Sequence, residues 1–179
     1  MELVDLCQPV LAQLANAINY RCNLAIRDER AVVYIARAPA PNTLIGAMNV
    51  GSCLPAHGTV VGRILLSELS LEALRALYPE PALERFSPET PHDVESLYAL
   101  LQRDRLAESV VGESYFESGY SSIAAPVRDH TRDIVAVIST IIPSSFIDPA
   151  QSEHLLQAVR RSASTFSTLL HCPASAAGG

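Results

Sequence analysis

The chain has 179 residues, 49% hydrophobic and 18% charged, a balance that belongs to a folded domain and excludes a disordered one. A chain this long buries roughly 70% of its unfolded surface, so it needs no disulfide or metal to hold a core. Net charge is −6 and all 13 basic residues are arginine, which makes it a poor binder of duplex DNA by itself and excludes the lysine chemistries of P-loop hydrolysis, Schiff bases and Ser-x-x-Lys acylation.

In chain order, Leu3, Leu6, Val10, Leu14 and Ile18 recur at helical spacing and predict an N-terminal helix that Pro9 kinks or delays. Three strands are predicted over 23–27, 31–37 and 44–49, with turns at Asp28-Glu29-Arg30 and at 39–42. Residues 51–58 read as a loop that runs into a helix carrying Val61, Ile64, Leu65 and Leu69. A short helix over 71–77 follows, then a stretch broken by Pro79, Pro81 and Pro88. Thr90-Pro91-His92-Asp93 reads as the start of a middle helix with Val94, Leu97 and Leu101 on its buried face. Runs 121–127 and 134–142 predict an antiparallel hairpin with its loop at 129–133, and Pro126 suits an edge or a bulge. A long amphipathic helix closes the chain, with Leu155, Val159, Ser162, Phe166 and Leu169 or Leu170 facing inward. Residues 173–179 read as a disordered tail.

Strands cluster toward both ends without βαβ alternation. The expected fold class is therefore α+β: an antiparallel sheet of five or six strands with the first and last helices side by side on one face. Cys7, Cys22, Cys53 and Cys172 show no Cys-x-x-Cys spacing and read as reduced thiols, some in the core. No apolar run approaches the roughly 18 residues that cross a bilayer. The acidic N-terminus is unlike a signal peptide, so a cytoplasmic protein is expected.

The most informative segment is Leu54-Pro55-Ala56-His57-Gly58-Thr59-Val60-Val61-Gly62-Arg63. Thr59 suits a helix N-cap, which would leave the amides of Val60, Val61 and Gly62 as donors for an anion; the plainer reading is a simple cap. Gly58 and Gly62 would let an anion approach the backbone, and Arg63 is expected to point away. Ser122 lies on one strand of the hairpin; Ser139 and Ile141 share a face of the next. Buried serines there would need a partner, from the backbone or from a ligand. Catalytic readings are thin. Cys53, His57 and Thr59 lack a third orienting residue, Gly-x-Ser-x-Gly is absent, the five histidines form no metal-spaced set, and Glu108, Glu113 and Glu117 read best as solvated.

Gly51-Ser52-x-Leu54-Pro55-Ala56-His57-x-Thr59-x-x-Gly62-Arg63-x-Leu65-Leu66 resembles the signature of the effector-binding domain of IclR-family transcriptional regulators. The match resumes at Gly119-Tyr120-Ser121-Ser122-Ile123-Ala124-Ala125-Pro126-Val127-Arg128-Asp129 and runs through Ile134-Val135-Ala136-Val137-Ile138-Ser139, and Thr90 also fits. Residues 33–37 and 54–56 resemble the branch that senses aromatic acids. The resemblance implies a GAF-like effector domain over 1–172 whose winged helix-turn-helix partner, absent from this chain, supplies all DNA binding. It implies a cytoplasmic homodimer or homotetramer, a small organic acid effector, no cofactor, no metal, no membrane and no catalysis. By the same resemblance, amides around Val60, Val61 and Gly62 would hold the carboxylate, Ser122 and Ser139 would give polar contacts, and Leu44, Ala56 and Tyr120 would form the wall. Departures from the family pattern are Ile141 for the second serine of a Ser-x-Ser pair, Gly112 where some members carry Asp, Ser114-Tyr115-Phe116 for an acidic cluster, and Val60-Val61 for an Ala-rich cradle. They favour a larger, partly apolar or aromatic acid. A bulky residue at Gly62 is expected to block that pocket without disturbing the fold. The competing readings are a ligand-free dimerisation module and a small hydrolase using Cys53, His57 or Ser122.

Overall fold

The computed structural model describes residues 2–40, 49–107, 109–114 and 118–171. The predicted strand over 44–49, apart from its last residue, and the tail over 173–179 lie outside these residues. Helix α1 (Glu2–Ile18) leads into a hairpin of β1 (Cys22–Asp28) and β2 (Ala31–Ala38). Then come β3 (Cys53–Pro55), a 3-10 turn at Ala56–Gly58, α2 (Val60–Leu66), α3 (Leu71–Leu77) and α4 (Val94–Arg105). The chain continues through β4 (Val110–Glu113), β5 (Tyr120–Arg128), β6 (Ile134–Pro143) and α5 (Pro149–His171). Among the described residues the strands form one six-stranded sheet in the order β3-β2-β1-β6-β5-β4, with every pairing antiparallel.

Each face of the sheet carries its own core, because successive strand residues point to opposite sides. Leu24, Ile123, Ala125, Ile138 and Ile142 pack under α1 and α5, against Leu11, Leu14, Val159 and Phe166. Ala25, Ala124, Val137 and Ile141 pack on the other face under α2, α3 and α4. The side-by-side first and last helices are as expected. A bulge sets which face β2 offers. Leu24 pairs with Ala36 but Ala25 pairs with Tyr34, so Ile35 is an extra residue. As a result Ala36 and Ala38 face α1, while Val32 and Tyr34 face α2.

Several expectations need correction. Helix α1 begins at Glu2 and runs through Pro9 without delay; its deepest residues are Cys7, Leu11 and Ala15, and burial of that stripe outweighs the lost Pro9 donor. Helix α4 starts at Val94, with the Asp93 carboxylate accepting the Ser96 N–H at 2.7 Å. Thr90 instead closes a turn, its hydroxyl accepting from the amides of Phe86 and Ser87. Residues 53–55 form an edge strand and 110–113 another, neither foreseen. In α5 Ala163 faces inward in place of Ser162, and of the two alternatives Leu170 packs against the core while Leu169 is exposed. Pro126 fits its expected setting, since β4 pairs only with Ser121–Ala124 of β5 and leaves that edge of Pro126 open. Arg161 lies on a solvated helix face, but Arg160 donates to the Ser109 hydroxyl at 2.8 Å and ties α5 to the approach to β4.

Candidate functional site

Helix α2 is short and rests on the sheet through Val60, Val61, Ile64 and Leu65. Thr59 is its N-cap, with extended backbone, and its hydroxyl accepts the Gly62 N–H at 3.0 Å while donating to Pro55 O at 3.2 Å. Gly62 is therefore not an open donor, as the sequence suggested; the cap itself takes that amide. The N–H groups of Val60 and Val61 have no backbone or side-chain acceptor among the described residues. Gly62 serves packing. A Cβ there would stand 2.1 Å from Ala56 O and 2.4 Å from Ala56 Cα, so the helix lies directly on the turn before it. The expectation that a bulky residue at Gly62 would leave the fold intact is thus overturned.

Two cavities meet at the start of α2, sharing Gly58, Thr59, Val60, Glu113 and Ser114. The inner one lies between α2 and the sheet, with Tyr34, Leu54, Val61, Ser122 and Ile141 completing its wall, and has a volume of about 20 Å³. The outer one, about 540 Å³, opens on the other side toward Ser87, Thr90, Arg63, Arg103 and Gly112. Thr59, Val60, Val61, Ser122 and Ile141 thus converge on one chamber and Gly112 joins the adjoining one. Ser139 is buried on the same sheet face without reaching either lining. Ala56 is buried beneath Gly62 and Tyr120 is exposed at the start of β5, and neither lines either of these two cavities. Leu44 lies outside the described residues. Tyr34, Leu54, Glu113 and Ser114 are lining residues that the sequence reading did not assign.

Arg63 does not point away. Its Nε lies 3.0 Å from Asp104 Oδ2 of α4, close enough for an ion pair although the two atoms are out of line for a hydrogen bond. Its Nη2 would be 3.9 Å from a Cβ at Gly112. Burial pulls the Arg63 pKa down and pushes the Asp104 pKa up, and in each case the partner's opposite charge only partly offsets the burial. Sequence held a signal for this pair. Asp104 continues the spacing of Val94, Leu97 and Leu101, and a carboxylate on a buried stripe needs a cation.

The residues of the hydrolase reading serve other ends. The His57 ring is buried, its Nε2 is 2.7 Å from Glu84 O, and Tyr78 and Phe86 pack on it at 5.4 Å each. Cys53 is exposed and its Sγ faces Gly51 O at 3.7 Å. Burial pushes the thiols of Cys7 and Cys22 up to about 12, so both are thiols at neutral pH. No group of three His, Cys, Asp or Glu side chains among the described residues could hold a metal. No described helix is long and apolar enough to cross a membrane.

A sheet with helices on both faces and two adjoining cavities at a helix start is an α+β domain with room for a small ligand. The chain belongs to the IclR family: the family model described as bacterial transcriptional regulator IclR C-terminal matches residues 1–168. It is 32% identical over 133 residues to the Pca regulon regulatory protein of Pseudomonas putida, covering 74% of this chain and 46% of that one. The chain therefore spans about half the length of that relative. Two solved structures share the fold. One is a double mutant of the PobR inducer-binding domain from Acinetobacter in complex with 3-hydroxybenzoic acid, with TM-score 0.83, 24% identity, and 93% of this chain and 98% of that one covered. The other is an IclR homologue from Microbacterium hydrocarbonoxydans complexed with 4-hydroxybenzoate, with TM-score 0.81, 23% identity, and coverage of 94% and 68%. The fold is the GAF-like one of such C-terminal domains.

Proposed function

We propose that this domain, spanning residues 1–172, binds a small organic carboxylate at the start of α2 and thereby controls a winged helix-turn-helix domain carried by the whole cytoplasmic protein. The observation that carries the reading is convergence. The amides of Val60 and Val61, open among the described residues, meet an apolar wall of Tyr34, Leu54 and Ile141 that also holds the Ser122 hydroxyl. Amide donors favour an anion and the wall favours a carbon skeleton. With no lysine in the chain, the backbone carries the carboxylate and Arg63 stands beside it in the outer cavity. The aromatic acids held by the two solved relatives support an aromatic or partly apolar effector. Assembly as a homodimer or homotetramer belongs to the same proposal, with light scattering as its test.

An apolar cavity that admits benzene measures about 150 Å³. The inner chamber, at about 20 Å³, must therefore widen for an aromatic acid, or the acid must extend into the outer cavity. That small volume is the one observation favouring the competing reading, a dimerisation module with a collapsed pocket. A thermal-shift panel of aromatic and short-chain acids separates the two. A saturable rise in Tm for some acids, lost in Val61→Trp, supports effector binding. No rise across the panel supports the structural module.

A further inference from the structure

A third cavity lies away from the start of α2. It is a groove of about 330 Å³ between β5, α5 and the end of α4, with Arg105, Arg128 and Arg160 around a floor of Ala125, Pro126 and Ala163. Ala125 and Ala163 belong to the core under α1 and α5, so the groove is on the opposite side of the sheet from the inner chamber. Local sequence makes the room. Strand β4 pairs with β5 only as far as Ala124, which leaves the β5 edge uncovered from Ala125 on. Pro126 has no N–H to leave unpaired there, and the alanine side chains are too short to fill the gap.

The charge around this groove runs against that of the chain. Acidic residues outnumber arginines by 19 to 13, and Arg30, Arg63 and Arg75 each pair with a carboxylate. Yet no carboxylate lines the groove among the described residues. Arg128 is paired with Glu68, from the connection between α2 and α3. Arg105 and Arg160 are in no ion pair among the described residues. Three guanidinium groups against one carboxylate leave two positive charges uncompensated on one concave surface, which raises the local concentration of anions.

Two of the three arginines are also held from behind. Arg160 donates through Nε to Ser109 Oγ at 2.8 Å, which leaves its two Nη groups for a ligand. Arg128 donates through Nη1 to Glu68 and to Arg132 O. That leaves its Nε–Nη2 edge, a fork that fits two oxygens of one anion. Long side chains already fixed in place lose less entropy when an anion binds.

We propose that this groove is a second anion site, independent of the start of α2, and that it takes the phosphate group of a small phosphomonoester. Such a phosphate carries a charge of about −1.5 to −2 at neutral pH and offers three acceptor oxygens. Both properties match two uncompensated charges and several guanidinium edges, whereas a monocarboxylate supplies one charge and two oxygens. The alanine and proline floor receives the carbon body of the ester. The volume falls at the small end of the range for small-molecule sites.

The test uses calorimetry in low-salt buffer and the arginine Nε–Hε signals of the 15N-labelled domain. The probes are phenyl phosphate, inorganic phosphate and the singly charged diester dimethyl phosphate. Phenyl phosphate and inorganic phosphate should bind saturably and shift Arg105, Arg128 and Arg160, with the Val60 and Val61 amides unmoved. Dimethyl phosphate should bind roughly tenfold more weakly, having lost one charge-assisted hydrogen bond. Arg160→Gln and Arg105→Gln should each weaken phenyl phosphate roughly three- to tenfold, and Arg161→Gln, on the solvated face of α5, should not. Arg105 is exposed and its side chain makes no bond to another described residue, so its variant guards against a loss caused by misfolding. The inference is overturned if neither phosphate binds saturably, or if Arg105→Gln binds as wild type does. It is also overturned if Arg161→Gln loses as much, or if the diester binds as tightly as the monoester, which would point to a nucleic-acid backbone instead.

Discussion

Replacing Gly62 with alanine tests how α2 is seated. The new Cβ would stand 2.1 Å from Ala56 O, 2.4 Å from Ala56 Cα and 2.5 Å from Ala56 C. Non-bonded carbon atoms rest about 3.5–4.0 Å apart, so the helix must back away by about 1 Å. The obstacle is backbone and cannot swing aside. Overpacking of this kind costs about 1–3 kcal/mol, and rigid surroundings place it at the upper end. Alanine returns about 1 kcal/mol of helix propensity over glycine. The net loss is about 2 kcal/mol, a fall in Tm of roughly 4–8 °C for a domain of this size. Gly58→Ala is the control, since a Cβ there meets the Phe86 ring edge at 2.7 Å and a side chain can shift. Thermal unfolding followed by circular dichroism reads both variants. If Gly62→Ala melts within about 1 °C of wild type, or Gly58→Ala loses more, then α2 does not rest on the Ala56 backbone and this account of the motif glycine fails.

Asp104→Ala strands the Arg63 guanidinium, whose side chain is only 15% exposed. Breaking a buried pair costs about 3–5 kcal/mol, and the opening to the outer cavity places this one at the low end, about 3 kcal/mol, a Tm fall of roughly 6–12 °C; an unchanged Tm refutes the pairing. At the hairpin loop, Asp129 is held below the usual carboxylate range by the Thr131 hydroxyl, with the Thr131 and Asp133 amides adding to it. Its folded pKa is depressed, so its contribution is present above the ordinary value near 3.8 and disappears as pH falls through the lower folded value. In Asp129→Asn the acid limb of a Tm-against-pH curve should be flatter than in wild type, and superimposable limbs contradict the assignment. At its net charge of −6, the domain should show no sequence preference for duplex DNA in a gel shift at physiological salt, and a specific band would contradict that.

The parts of the fold that show in the sequence are those that bury apolar side chains over many residues. Strands β5 and β6 show as long β-rich runs buried on both faces, and α5 as an apolar stripe. Strands β3 and β4 do not, because three or four residues, one of them Pro55 or Gly112, bury too little on their own to leave a pattern. They exist because Val33 and Ala124 offer ladders to them. The bulge at Ile35 shifts facing without any glycine or proline to announce it. At the site, Thr59 is readable as a cap from its position before Val60, and Ser122 and Ile141 from strand alternation. The direction of Arg63 is not legible in the sequence, because a helical position alone gives no direction until α4 brings Asp104 against it.

The central claim is that the start of α2 and the facing sheet form an acid-binding site. A titration of the 15N-labelled domain with 4-hydroxybenzoate, read by amide chemical shifts, tests it most directly. The account predicts saturable shifts that are largest at Val60, Val61 and Ser122, with α1 and the exposed face of α5 unmoved. Shifts that saturate only at Arg105, Arg128 and Arg160, which line a separate groove beside α5, would contradict it, as would a spectrum that does not change.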